Sequence, residues 1–511
     1  MKSLLVKTFV MAGLLAFPMA ASAQYRTDVQ VETAPEAQLV IEQAKTSETP
    51  VVITLEQALE IALSENVSVK VADMEIERAG YAKKGAYASL FPQIDASGAY
   101  QRTIKKQVMY MDIDMSSIMG GGAGAPGAGE GEGEGEGGEG TPTIPETGEG
   151  NEGGSAGAPG AGGLEVGRWN TWSAGVSASM PLVNAQLWQS LKLSGLDVEL
   201  AVEKARSSRL DMVTQVKNAY YSILFAKEAF NVYKEVYENA VRNFEETKKK
   251  YDAEKISEME YIRSKTTVAN AVPNVYNAES SVILALWQLK AVLGVDLDLN
   301  LDVAGKLSDY AQQMLYDIHE HDGATLDRNT TMKQLAIQAE MLAETIKLQK
   351  YANIPSLALG FNFSMNAMTN DFNFSEYRWT PYSYVGVSLA IPIFAGGKRF
   401  NQIRQAKNQY NQVQLQTINT ERQLQIAIRQ KITTMETNMK SYYAAQDAVA
   451  AAKKGYDIAE RAYQVGRSTL IQLNDAQLAL TQAQLAESQA IYNFVSAKAQ
   501  LEQTLGQDFI E

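Results

Sequence analysis

His319 and His321 are the only two histidines in 511 residues, and they flank Glu320. Imidazoles two apart beside a carboxylate offer metal ligands. A tetrahedral zinc site needs three or four ligands at set spacings, and neither a third histidine nor any cysteine exists to complete one, so the segment reads as a surface connector. The run Gly-Glu-Gly-Glu-Gly-Glu at 131–136 concentrates carboxylates suited to calcium but lacks the ordered ligand spacing of a loop site. It reads as part of a disordered acidic loop. No nucleophile, base and orienter can be assembled, and no phosphate-cradling glycine loop is present. The residues indicate no enzyme, no metal and no cofactor.

The elements that carry these residues follow from composition and period. A formal charge of −13 argues against a nucleic-acid partner. Lys2, Lys7, an apolar run from Phe9 to Phe17 and the small residues Ala21-Ser22-Ala23 form a secretory leader over residues 1–23. No other apolar run reaches the ~18 residues that a membrane helix needs, so an exported chain that spans a membrane does so with strands. Residues 24–53 are polar, hold Pro35 and Pro50, and read as an extended arm. Residues 120–163, dominated by Gly, Glu, Ala and Pro, cannot bury enough apolar surface to fold. A connector spans 295–324 and a tail 508–511.

What remains is two repeats, 54–294 and 325–507. Each reads helix, strand, loop, strand, very long helix, turn, long helix. Thr54-Leu55-Glu56-Gln57 fits a capping box that opens the first helix. Strands are expected at 94–103, 172–180, 356–366 and 382–391. In the last of these Val385, Val387, Leu389 and Ile391 alternate with Gly386, Ser388 and Ala390, giving one greasy and one small or polar face. Pro181 and Pro392 end a strand in each half, and Gly396 and Gly397 supply a flexible turn into the next helix. The halves match by register: Asn66 and Pro92 stand 26 apart, as do Asn329 and Pro355, and Tyr251 and Gly294 stand 43 apart, as do Tyr463 and Gly506. The offset between halves is 263 before the first strand and 211 to 212 after it.

The fold class is therefore mainly α with a membrane β portion. Strands of about ten residues suit an outer-membrane barrel. Four are too few to close one, and an open edge in lipid is forbidden. The chain must oligomerise to close its sheet, and three copies give a trimeric twelve-stranded barrel. Trp169, Trp172, Trp379, Tyr382 and Tyr384 cluster near strand ends and read as an aromatic girdle against outer-membrane lipid.

Leu-Phe-Pro at 90–92, Ile-Pro-Ile-Phe-Ala-Gly-Gly-Lys at 391–398 and Ala-Tyr-Gln-Val-Gly-Arg-Ser-Thr-Leu-Ile-Gln-Leu-Asn-Asp-Ala-Gln at 462–477 resemble the TolC-like outer-membrane efflux protein family. The resemblance covers about residues 51–507 apart from the acidic insert. It implies a homotrimer whose β-barrel crosses the outer membrane of a Gram-negative bacterium and whose long α-helical barrel extends into the periplasm. It also implies a passive exit duct for small molecules such as drugs, working with a periplasmic adaptor (membrane fusion) protein and an inner-membrane transporter. The family narrows its channel with acidic side chains at positions that fall on Gln472 and Asp475, of which only Asp475 is acidic. The turns Tyr251, Glu254, Ser257 and Tyr463, Gly466, Thr469 resemble the tips that dock the adaptor, with Glu254 standing where the pattern has glycine. Two alternatives remain open: the outer-membrane component of a type I protein secretion system, and a periplasmic coiled-coil adaptor or structural protein.

Overall fold

The computed structural model describes residues 35–46, 49–109, 164–314, 326–373 and 376–507. The leader, the acidic tract at 120–163, His319, His321 and the tail at 508–511 lie outside them. The chain runs through α1 (Pro35–Thr46), β1 (Val51–Ile53), α2 (Leu55–Glu65), α3 (Val67–Ala88), β2 (Gln93–Arg102), β3 (Gln107–Met109), β4 (Leu164–Val166) and β5 (Asn170–Val183). It continues through α4 (Ala185–Asp252), α5 (Glu258–Leu293), β6 (Leu301–Val303), α6 (Thr330–Tyr351), β7 (Ser356–Thr369), β8 (Thr380–Ala390), α7 (Lys398–Gln464) and α8 (Leu470–Leu505). These elements separate into a helical unit and a β unit, the latter made of Phe91–Val183 and Ser356–Ala390.

In the helical unit the expected capping box forms: the Gln57 amide N–H donates to Thr54 Oγ1 at 3.3 Å and the Thr54 amide to Gln57 Oε1 at 3.0 Å. Two features depart from the sequence reading. Part of the arm is helical, α1 starting at Pro35, whose fixed φ suits a first helical position. The connector contains β6, which pairs in parallel with β1, Val51 opposite Leu301. Three-residue strands are too short for a period of two to show.

The repeat is built into the packing. Asn66 caps α3 through Ser68 N at 2.7 Å and sends Nδ2 to Val292 O at 2.7 Å. Asn329 caps α6 through Met332 N at 2.9 Å and sends Nδ2 to Thr504 O at 2.6 Å. Each asparagine thus joins the start of a short helix to the end of a hairpin. Gly294 and Gly506 cap those ends with φ of 77° and 70°, the left-handed conformation that terminates helices.

The core gathers where α2, α4, α5 and α8 meet the β1–β6 pair. Ile53, Ile61, Ile223, Leu293, Phe494 and Leu501 are fully buried there. Tyr220 lies among them and donates its hydroxyl to Ala304 O at 2.6 Å; burial pushes the phenol up to about 12. Lys217 and Glu502 form an ion pair at 2.5 Å inside the same region. Desolvation lowers the ammonium and the Glu502 carboxylate opposes that shift.

Glu344 of α6, with 4% of its side chain exposed, receives Lys192 of α4 at 2.6 Å and Lys347 at 2.9 Å, together with Gln189 Nε2 at 2.5 Å. The hydrogen bond from Lys192 leads in holding the carboxyl down at about 2, from an ordinary 4.5, against the opposing effect of burial. A folded-state value below the unfolded one gives stability that is present above the unfolded value and lost as pH falls through the folded one. Thermal midpoints of wild type and Glu344→Gln are therefore expected to differ by several degrees near pH 7 and to converge between pH 4.5 and 2. A gap that stays constant with pH would remove the ionic origin of this contact.

The β unit is an antiparallel sheet of order β2-β5-β7-β8. Gln93 pairs with Ser179 in the first hairpin and Ser356 with Ala390 in the second, at the offsets of 263 and 211 read from sequence. The strand at 172–180 was expected to end at Pro181. Instead β5 runs on to Val183, with Pro181 still opposite Ala358 and the register shifting between Pro181 and Val183. A bulge is one of the few places where a sheet tolerates proline.

Candidate functional site

The helical unit contributes two hairpin tips. In the first, Ser257 caps α5, its Oγ accepting from Glu260 N at 3.3 Å. In the second, Thr469 caps α8 in a capping box with Gln472. The turns follow one pattern: Lys255 N donates to Lys250 O and Arg467 N to Ala462 O, both at 2.8 Å. Such i to i−5 bonds close a helix around a left-handed residue. That residue is Gly466 at φ 75° in the second tip and Glu254 at φ 56° in the first. Both tips thus keep the backbone that the pattern with glycine would give, and Glu254 carries the strain of an L-residue there.

The two tips are fastened to one another. The Tyr463 hydroxyl and Thr247 Oγ1 lie 2.7 Å apart in a buried hydrogen bond. Lys250 Nζ donates to Tyr463 O and Gln464 O, each at 3.3 Å, and stands 4.9 Å from the centre of the Tyr463 ring. A lysine on the last carbonyls of α7 is also favoured by the helix dipole. Burial raises the Tyr463 phenol. Tyr251, at the repeat position of Tyr463, instead stacks on Tyr261 at 4.8 Å. Thr247 and Lys250 did not stand out in the sequence. The run Lys248-Lys249-Lys250 marks a helix C-terminus, but nothing local indicates a partner more than 200 residues away.

Asp475 is exposed on the first turns of α8, and its neighbour Asn474 donates to Thr267 of α5 at 3.2 Å. Gln472 has a local task. Its Oε1 accepts from Thr469 N at 3.0 Å and Ser468 Oγ at 2.8 Å, so the side chain is held at the helix start. Of the two positions carried over for a constriction, Asp475 alone has an uncommitted carboxylate.

The strand-to-helix junctions of the two halves differ. After β5, Asn184 directly caps α4, its Oδ1 accepting from Leu187 N at 3.0 Å. After β8, residues 391–397 intervene, with Gly396 and Gly397 at φ 56° and 76° before Lys398. Arg399 ties that loop back through Pro392 O at 3.2 Å. Pro181 therefore lies within a strand and Pro392 beyond one.

In the β unit the register sorts side chains onto two faces. Cross-strand partners share a face, so Tyr100, Trp172 and Ala367 lie together, as do Ala96, Val176 and Phe363, and Ala178, Phe361 and Val385. The opposite face carries Ser97, Gly175, Ser364 and Tyr382 in one row and Asp95, Ser177, Asn362 and Tyr384 in the next. The girdle set is divided accordingly. Trp172 packs on Tyr100 with ring centres 4.4 Å apart. Trp169 is exposed and Lys106 stands over its ring at 4.8 Å, while Trp379 is half-buried just before β8. Tyr382 and Tyr384 sit on the polar face, away from Trp172, because the alternation that points Val385 one way points them the other.

A model of the outer membrane efflux protein family matches residues 141–295 and 323–507. The outer membrane protein TolC of Vibrio cholerae serotype O1 is 21% identical over 342 residues, covering 65% of this chain and 76% of the relative. The solved structure of the Campylobacter jejuni CmeC outer membrane channel is 17% identical and superposes with a TM-score of 0.62, covering 90% of this chain and 89% of that one. The outer membrane protein VceC of Vibrio cholerae, 16% identical, gives a TM-score of 0.62 with 89% and 97% covered. The chain thus belongs to the outer membrane efflux protein family, as a non-enzymatic channel protein of the outer membrane that extends into the periplasm.

Proposed function

We propose that three copies of this chain form the passive exit duct of a tripartite efflux system. A periplasmic adaptor and an inner-membrane transporter deliver small molecules to it, and the energy comes from the transporter. The observation that carries this reading is the open sheet. β2 and β8 are its outer strands and are exposed along their whole length, whereas hydrocarbon leaves no partner for unpaired backbone groups. Joining β8 of one copy to β2 of the next closes the sheet. Eight strands from two copies would leave room for side chains or at most one small ligand, so three copies are the smallest number that gives an open channel.

In this arrangement the tips, Tyr251 to Ser257 and Tyr463 to Thr469, face the adaptor, and three Asp475 carboxylates ring the axis. Such a ring favours cations. The test is purification in detergent followed by planar-bilayer recording. A trimeric mass and cation-preferring conductance are expected, with the preference lowered in Asp475→Asn. An unchanged preference removes Asp475 from the constriction, and a monomer that conducts nothing overturns the duct.

A further inference from the structure

We infer that Tyr382 and Tyr384 form a binding site for aromatic or quaternary organic cations on the lumenal wall of the barrel, towards its outer mouth. The inference rests on the duct reading, which makes the polar face of the sheet the wall of the pore. Five observations support it. The two rings lie side by side, 5.7 Å between centres and inclined by 44°. In a single copy they are 62% and 50% exposed, and among the described residues neither hydroxyl is hydrogen-bonded to a protein group.

Their surroundings on that face are small. Ser364 and Gly175 lie across from Tyr382, Asn362 and Ser177 across from Tyr384, and Gly386 opposite Gly360 comes next along the strand. Within one copy the phenols are therefore the largest side chains on this part of the wall; in the closed barrel the polar face of β2 from the next copy would lie on their other side. The charge is one-sided as well. Across the paired residues of β2, β5, β7 and β8, Asp95 is the only carboxylate or cation on the polar face, because Arg102 falls on the face of Tyr100. Lys105, Lys106, Arg168 and Arg378, with Asp371 and Glu376, lie beyond the paired strand residues. An electron-rich ring face attracts a cation with apolar surface, and attracts an anion of the same shape less. Ala390 is the end of β8 that leads on to α7 and Thr380 the end remote from it in sequence, so on the duct reading three copies would set six rings towards the outer mouth.

The test is block of single-channel current by benzyltrimethylammonium added to the outer side of the trimer in a planar bilayer, with benzenesulfonate as the anionic control. Wild type and the Tyr382→Phe/Tyr384→Phe variant are expected to be blocked alike, since the ring face is kept. In Tyr382→Ala/Tyr384→Ala the half-blocking concentration is expected to rise by about fivefold or more, the scale of an exposed cation–π contact. Equal block of the alanine variant, or equal block by benzenesulfonate, overturns the site while leaving the duct intact. Failure of wild type to conduct at all overturns the duct and the site with it.

Discussion

Gly506→Ala is expected to yield little or no folded protein, and Gly294→Ala a folded but destabilised one. Both glycines are left-handed, which alone costs an L-residue ~1–2 kcal/mol. They differ in what a Cβ would meet. At Gly294 the new carbon would press on Asn66 Cα and Glu65 O at 3.0 Å. At Gly506 it would overlap the Arg328 carbonyl, with the carbonyl carbon at 2.7 Å. That peptide is not free to retreat. Arg206 of α4 donates to Arg328 O at 3.1 Å and to Gly506 O at 2.7 Å, and Asn329 is tied to Thr504. Relief means breaking one of these ties, so the total exceeds ~3 kcal/mol once overpacking is added. Yield and thermal midpoint of the two variants check the order; equal behaviour would show that the Arg328 peptide yields easily.

If the tips hold the constriction of the proposed duct, releasing their fastening is expected to open the channel. Tyr463→Phe removes the buried bond to Thr247, worth ~1 kcal/mol, which on that reading would shift a closed-to-open ratio about fivefold. Tyr463→Ala also deletes a buried aromatic side chain, a loss of ~3–5 kcal/mol, and removes the ring beneath Lys250. Conductance in planar bilayers should rise from wild type through Tyr463→Phe to Tyr463→Ala, with Lys250→Ala adding to the phenylalanine variant. Far-UV circular dichroism should stay unchanged, because the substitutions sit at the end of long helices. Wild-type conductance in all of them would place the closed constriction elsewhere.

Most of the architecture is legible in the sequence because its signals are local and repeated. Asn66 and Asn329, as caps, and Gly294 and Gly506, as helix ends, each satisfy backbone groups within a turn, so their spacing alone reveals two halves. Strand faces are legible by parity: Val385 and Tyr384 must point in opposite directions, and grouping aromatics by nearness to a strand end overlooks that. Other features depend on distant partners. Nothing in Val51-Val52-Ile53 identifies Leu301-Asp302-Val303 as its neighbour, and Thr247 gives no hint of Tyr463. At Gln472 the side chain that a pore-centred reading directs to the axis is used in a helix cap, a role its place three residues after Thr469 already allows.

The central pairing of the sheet has a consequence for how the chain folds. β5 and β7 are hydrogen-bonded neighbours, yet the whole of α4, α5, β6 and α6 lies between them in sequence. Contacts between such distant segments make folding slow, because the closure entropy precedes the gain. The second β-hairpin can form early; the sheet must wait for chain made hundreds of residues apart. During that delay the strand edges that join copy to copy in the proposed trimer are open to any other strand. Edges that would serve the proposed assembly at the membrane thus also invite aggregation in transit, and the two outcomes differ only in which partner arrives first.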